Sequence, residues 1–156
     1  MSIDPVLPQQ RAVHEFWQQK LHGRRMPHPD DVDLSQVETS LLNNVCVIDV
    51  IHERRRYKIV FAGNSLFDVY GVDITGSFLD ELDLGDARDY WLSHYDNFVA
   101  EAEPKIGVIP ITWVGKEFIV QHWMKLPLSF DDRQVDRILA LDLFLTRTDL
   151  KKLGLG

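Results

Sequence analysis

The 156-residue sequence contains a single cysteine, Cys46, so no disulfide can form within the chain, and a reducing compartment suits it. It has no apolar run approaching the roughly 20 residues that a membrane-spanning helix requires. The N-terminal segment, with Asp4, Pro5 and Pro8, lacks the basic-then-apolar layout of a signal peptide. Positive charge is also scarce: 17 Lys and Arg against 24 Asp and Glu leave a net charge of −7, which argues against a nucleic-acid partner. The run Arg54-Arg55-Arg56 falls between two strand patterns and reads as a solvated hairpin tip. Catalytic signatures are missing too, with no Gly-x-Ser-x-Gly elbow, no phosphate-cradling glycine loop and no His-Glu-x-x-His. His22, His28, Asp30 and Asp31 are separated by prolines that prevent a regular presentation of metal ligands. These absences predict a soluble, cytoplasmic protein that is not an enzyme, holds no metal, and binds neither nucleic acid nor membrane.

What remains is one globular domain, 45% hydrophobic and 26% charged. Residues 1–7 read as a flexible tail. Pro8 opens a helix on which Val13, Phe16, Trp17 and Leu21 recur at helical spacing, stopped by Gly23, Pro27 and Pro29. Val45 to Ile51 alternates, with Cys46, Ile48 and Val50 on one face and Val45, Val47 and Asp49 on the other, so both faces are expected to be covered. Tyr57, Ile59 and Phe61 alternate with Lys58, Val60 and Ala62 in a second strand. Asn64 or Ser65 is positioned to cap a short helix carrying Leu66, Phe67, Val69 and Tyr70, which Gly71 ends. The longest helical pattern runs from Ala87 to Ala102, with Trp91, His94, Tyr95 and Phe98 on one stripe.

Three strands then close the chain. Gly107 and Pro110 demote part of Lys105 to Trp113 to an edge or a bulge, and Val114-Gly115-Lys116 is a turn. In Glu117 to Leu126, one face takes Phe118, Val120, His122, Met124 and Leu126, while Glu117, Gln121 and Lys125 face the other way. Ile138 to Leu145 puts Leu139, Leu141, Leu143 and Leu145 on one side. The segregated order of strands and helices predicts an α+β fold: a five-stranded antiparallel sheet with helices on one face and an N-terminal flanking helix.

The ordered set of Asn64, Gly71, Gly76 and Leu79-Asp80-Glu81-Leu82 after a strand resembles the entry to the helical half of a PAS domain. Leu126-Pro127-Leu128-Ser129 and the Trp-containing N-terminal helix are similar to those of small stand-alone bacterial PAS proteins, although Leu41-Leu42 stands where that branch often has Leu-Pro. The resemblance spans roughly residues 10–148. It divides the chain into a tail (1–7), a helical flank (8–42), a PAS core (43–148) and a C-terminal tail (149–156).

The resemblance implies a stand-alone sensory or regulatory module that binds a small ligand, a protein partner in a signalling pathway, or both. The rival reading is a ligand-free interaction or scaffolding module. The ligand of a PAS domain lies between the inner sheet face and the short helices. The implied lining is therefore Phe67, Tyr70, Trp91, His94, Tyr95, Phe118, His122 and Met124, which suits a small, mostly apolar molecule. The cofactor is not specified. A histidine on the long helix of haem-binding relatives makes His94 a candidate axial ligand, with a hydrogen-bonded histidine at the stripe edge as the alternative. For His122 the alternatives are ligand contact and a satisfied core position. The Asn-Cys-Arg-type run of covalent flavin photoreceptors is absent. Val45, Val47, Ile119, Trp123, Ile138 and Phe144 are expected on the outer sheet face, where, with the N-terminal helix packed in cis or in trans, they would support a homodimer; the alternative is a monomer covered by helix 8–22 and residues 33–42.

Overall fold

The computed structural model describes residues 3–111, 115–116 and 118–155. Its centre is a five-stranded antiparallel sheet in the order β2-β1-β5-β4-β3, with β1 Val45–Ile51, β2 Arg56–Ala62, β3 Lys105–Pro110, β4 Val120–Leu128 and β5 Arg137–Leu145. The helices are α1 Pro8–Gln19, α2 Thr39–Leu42, α3 Asn64–Tyr70, α4 Arg88–Glu101 and α5 Arg147–Lys152. No helix among the described residues is long and apolar enough to cross a membrane. The architecture is the expected α+β arrangement. β3 lies at the sheet edge, where Pro110 breaks no ladder that a further strand would need. The expected strand end at Trp113, Val114 of the expected turn and Glu117 lie outside the described residues.

The sheet is covered on both sides. On one side α1 lies against its own chain: Val13 and Trp17 are buried with Val45, Val47, Met124, Leu126, Leu128, Leu139, Leu141 and Leu143. Trp17 Nε1–H donates to the Pro127 carbonyl at 2.9 Å, which pins the helix to β4. Leu7, at the end of the expected tail, is buried in the same cluster. On the other side α3, α4 and the single turn at Leu79–Glu81 cover Cys46, Ile48, Tyr57, Ile59, Trp123, Ile138 and Ala140.

Three local expectations change. First, α3 is not capped by Asn64 or Ser65. Gly63 holds the N-cap position, and the Ser65 amide donates to the Asn43 carbonyl at 2.9 Å. A Cβ on Gly63 would sit 2.1 Å from the Leu42 carbonyl oxygen, so only glycine permits that approach. Second, the β1–β2 pairing passes from Val47↔Phe61 to Ile48↔Ile59, leaving Val60 as an extra residue. Tyr57 and Ile59 therefore stay on the α4 side while Phe61 crosses to the α1 side. Third, β4 presents the opposite faces to those expected. Met124 and Leu126 point towards α1, and Trp123 points towards α4 together with Ile138 and Phe144. Both parities of β4 carry large apolar side chains, so alternation alone does not orient it.

Candidate functional site

The inversion of β4 brings Gln121, Trp123 and Lys125 inward, onto the side covered by α3 and α4. The register sets Asp142 opposite Trp123 and Ala140 opposite Lys125, so Asp142 is the diagonal neighbour of both Gln121 and Lys125. Gln121 is 6% exposed, Lys125 1% and Asp142 7%, in a layer otherwise built from apolar and aromatic groups. Gln121 Nε2 donates to Asp142 Oδ1 at 2.8 Å. Backbone bonds hold Asp142 in register from the far side: its amide donates to the Asn44 carbonyl and its carbonyl accepts from Asn44 Nδ2 at 2.8 Å.

The Lys125 ammonium sits in a cage of rings. Its Nζ is 4.5 Å from the Trp91 ring centroid, 4.7 Å from Trp123 and 4.8 Å from Tyr95. Contacts of this kind stabilise a desolvated cation by about 2 kcal/mol. α4 supplies Trp91 and Tyr95 one turn apart, which is why both meet one strand position. Trp123 stands between, crossing Trp91 at 68° with centroids 6.2 Å apart, and its Nε1–H donates to Tyr90 Oη at 3.2 Å. Gly107, paired with Trp123 across the ladder, leaves the space the indole fills: a Cβ there would lie 2.3 Å from the ring.

Burial dominates the titration of this cluster. It lowers the Lys125 ammonium to about 8, against the pull of Asp142 and Cys46. It raises the Asp142 carboxyl, opposed by the Lys125 charge and the Gln121 bond. The Cys46 thiol is pushed up by burial and then by Asp142, so it stays protonated. The Tyr70 and Tyr95 phenols move the same way for the same first cause.

Cys46, Ile59, Leu66, Tyr70, Ile74, Trp91, Tyr95, Gln121, Lys125 and Asp142 are among the residues enclosing a cavity of about 30 Å³. That is room for about one water.

Of the eight residues expected to line a ligand site, the fold brings three together there: Tyr70, Trp91 and Tyr95. Phe67 is 51% exposed on α3, and Phe118 is 64% exposed ahead of β4. Met124 is fully buried on the α1 side. His122 also faces away from the cavity, into an apolar groove formed with Val6, Leu7, Gln10, Ile106 and Val108, where its Nε2 has no hydrogen-bond partner among the described residues. His94 packs on Trp123 at 4.1 Å between ring centroids and stacks on Tyr90 at 5.9 Å, outside the cavity. Its Nε2 is buried without a hydrogen-bond partner among the described residues, and burial, with the Lys125 and Lys105 charges, lowers its pKa to about 3.

Cofactor-sized sites begin at roughly 300 Å³. A 30 Å³ cavity that excludes His94 therefore fits neither a haem nor a flavin. The larger concavity, 520 Å³ between α1 and residues 36–41, is an open surface groove remote from the buried charges.

The sequence reading missed Gln121, Trp123, Lys125 and Asp142. The available signal was a lone charge inside each of two apolar strands, Lys125 between Met124 and Leu126 and Asp142 between Leu141 and Leu143.

The profile of the PAS domain family matches residues 7–141. No curated protein matches the chain. Among solved structures, the PAS domain of Bordetella pertussis BvgS is 19% identical with a TM-score of 0.52, over 74% of this chain and 88% of that one. The Rhodobacter sphaeroides LOV protein is 13% identical with a TM-score of 0.50, over 80% and 85%. The LOV domain of the blue-light photoreceptor Aureochrome1 is 11% identical with a TM-score of 0.51, over 76% and 96%. At these identities the likeness is one of fold.

Proposed function

Because the chain belongs to the PAS domain family, whose members are in general sensory rather than catalytic, we propose that it is a sensory or regulatory module. Its receiving site, on this reading, is the caged Lys125–Asp142 cluster, and its output is contact with a protein partner. One observation carries the reading: a fully buried ammonium and a buried carboxylate occupy the layer between sheet and helices. Stability does not require them, since apolar residues of similar volume in place of a buried ion pair are commonly neutral or stabilising by about 1–4 kcal/mol. A buried titratable pair with shifted protonation, beside a cavity, is the kind of feature that serves a responsive site. The expected ligand is correspondingly not an apolar molecule filling a large chamber. It is a compound of few heavy atoms, anchored by Lys125, Gln121 or Asp142.

Native mass spectrometry and an absorption spectrum of freshly purified protein, followed by thermal-shift measurements with small polar compounds, test this. A retained or stabilising molecule whose effect disappears in Gln121→Leu supports the receiving site. A protein that is always free of ligand and indifferent to every compound would sink it in favour of the scaffolding alternative, which the small cavity volume favours. A homodimer belongs to the same proposal, but its surface differs from the one the sequence suggested. Val13 and Trp17 are already packed in cis, so pairing would use the exposed strip of Val6, Ile106, Val108 and Leu155. Light scattering of Val108→Glu against the parent protein decides that point.

A further inference from the structure

The caged lysine has a geometry that selects among ligand classes. The site already holds one positive and one negative charge in a layer with little exposure to solvent. An anionic ligand would stand beside Asp142 with only Lys125 to balance two negative charges, and a cationic one would compete with Lys125 for the same three rings. A neutral carbonyl compound changes neither balance, because its condensation with an amine leaves a cation where a cation was. We propose that Lys125 is a covalent capture site for small neutral aldehydes, held as a protonated imine within the Trp91–Tyr95–Trp123 cage against Asp142. This inference rests on the reading of the inner cluster as the receiving site and names the chemistry it would receive.

The step balances. The Lys125 ammonium releases a proton, which the buried Asp142 carboxylate, diagonal to it across the ladder, can take up. The freed nitrogen lone pair attacks the carbonyl carbon, and the C=O π pair moves to oxygen, which is protonated to give a carbinolamine. Loss of that oxygen as water forms the C=N bond. Overall, R–NH₃⁺ and O=CHR′ give R–NH⁺=CHR′ and H₂O, with one positive charge on each side. No oxidant, reductant or further reactant is needed.

The surroundings favour each part. The neutral amine is the nucleophile, and burial supplies it: with a pKa of about 8, roughly a tenth of Lys125 is neutral at pH 7, some 300 times the fraction of a lysine at its ordinary value. Cys46, which also lines the cavity, is held as the thiol and does not compete as a thiolate. The iminium is retained by the rings that now hold the ammonium, at 4.5–4.8 Å. Size sets the class: a cavity of about 30 Å³ beside the amine, the room of about one water, suits a one-carbon aldehyde and excludes an aromatic one. Gln121, Tyr70 and Trp91 also border a smaller cleft of about 10 Å³ at Pro110 and Ile111 on the sheet edge, so a molecule entering from that side requires these side chains to move.

The test uses the full chain, first without substitution. The protein is incubated at pH 7 with limiting formaldehyde and cyanoborohydride, which reduces an imine to a stable alkylamine, and every lysine is mapped by peptide mass spectrometry. Alkylation of Lys125 should exceed that of Lys20, Lys58, Lys105, Lys116, Lys151 and Lys152 by about tenfold or more. Glyoxylate, which adds a carboxylate beside Asp142, and benzaldehyde, which exceeds the cavity, should label Lys125 about tenfold less. Lys125→Arg, which keeps the cation in the cage, should lose the dominant site while the surface labelling stays.

Labelling spread evenly over the surface lysines, or benzaldehyde as effective as formaldehyde, overturns the inference. If Lys125 stays unmodified while native mass spectrometry finds a small non-carbonyl molecule retained, the capture chemistry falls and the receiving site stands. If neither is seen, both fall.

Discussion

On the face of the sheet covered by α1, the buried side chains from β1, β4 and β5 are Val45, Val47, Met124, Leu126, Leu128, Leu139, Leu141 and Leu143. On the opposite face the same strands bury Cys46, Ile48, Gln121, Trp123, Lys125, Ile138, Ala140 and Asp142. The first set is a core that any sequence of suitable volume would supply. Each side chain there adds burial worth roughly 1.5–3 kcal/mol, and nothing in it depends on one particular neighbour. In the second set, Lys125 sits among three rings with Asp142 as its counter-charge, Asp142 accepts from Gln121, and Trp123 needs Gly107 to be glycine. A residue on the α1 face can be exchanged alone for one of similar volume; a polar residue on the α4 face is exchanged with its partners or at a cost. Both faces bury an apolar core, and the α4 face carries buried charges within it.

The largest effect should come from splitting the buried pair. Asp142→Ala leaves the Lys125 ammonium buried without its counter-charge, and the expected loss is about 3–5 kcal/mol in chemical denaturation. Replacing both partners, as Lys125→Met with Asp142→Leu, should recover most of that loss or exceed the parent stability. The α1 face should behave otherwise: Met124→Ala and Leu141→Ala each cost about 2–5 kcal/mol, and the double variant recovers nothing because the two are cross-strand partners whose truncation enlarges one shared cavity. If the double replacement on the α4 face is as damaging as Asp142→Ala alone, the two faces do not differ in the way described.

How far the sequence discloses this contrast depends on the element. β1 was legible to the residue, because Val45 to Ile51 alternates between flanking polar groups. The Leu139, Leu141 and Leu143 face of β5 was equally plain, as was Gly71, which ends α3 with φ of 77°. β4 was not. His122, Met124 and Leu126 alternate with Gln121, Trp123 and Lys125, and the prior that a lysine is almost never fully buried unless paired sends the second set to solvent. The partner that reverses this expectation, Asp142, lies on the next strand, so only the β4–β5 register reveals it. The same register moved Trp123 from the expected outer face into the cage, and left His122 and Met124 outside the site. Phe118 failed for a simpler reason: it precedes the first residue of β4, so strand periodicity does not govern it. The Val60 bulge likewise carries Phe61 across the sheet with no glycine or proline beside it to mark the place.

A smaller effect probes the cage without touching its charges. Gly107→Ala adds one methyl group 2.3 Å from the Trp123 ring, on an edge strand whose backbone is otherwise free to tolerate alanine. The indole must shift, and the expected cost is about 1–3 kcal/mol, the range for overpacking a well-filled core. Tryptophan fluorescence should change with it, since Trp91 and Trp123 are in contact. An alanine variant with parent stability and an unaltered emission spectrum would show that the ring is not held against β3.

The smallest effect is a pH dependence, and its sign identifies its origin. The unfolded chain releases the Lys125 proton at the ordinary 10.5, whereas the folded chain releases it at about 8. Between those values the unfolded state holds more protons, so stability rises with pH, by at most about 1.4 kcal/mol per pH unit for one group. Asp142 acts with the opposite sign, because its raised carboxyl makes the folded state the better proton binder from the ordinary 3.8 upwards, a loss that begins in the acid range. Cys46 opposes the lysine as well once pH passes its ordinary 9.0, and Tyr57, Tyr70 and Tyr95 follow above 10.0, because each ionises first in the unfolded chain. The window in which Lys125 acts against the least opposition is therefore pH 8 to 9. Denaturation midpoints measured across it should rise for the parent protein and stay flat for Lys125→Met with Asp142→Leu. No such rise is expected from the α1 face, where the groups whose titration burial displaces are the histidines His14 and His122. Both are held below their ordinary 6.5, so their contribution is complete above that value and is lost only as the pH falls. A parent protein whose midpoint is level from pH 8 to 9 would mean that Lys125 is solvated in solution, and the caged ammonium would then not be the feature that separates the two faces.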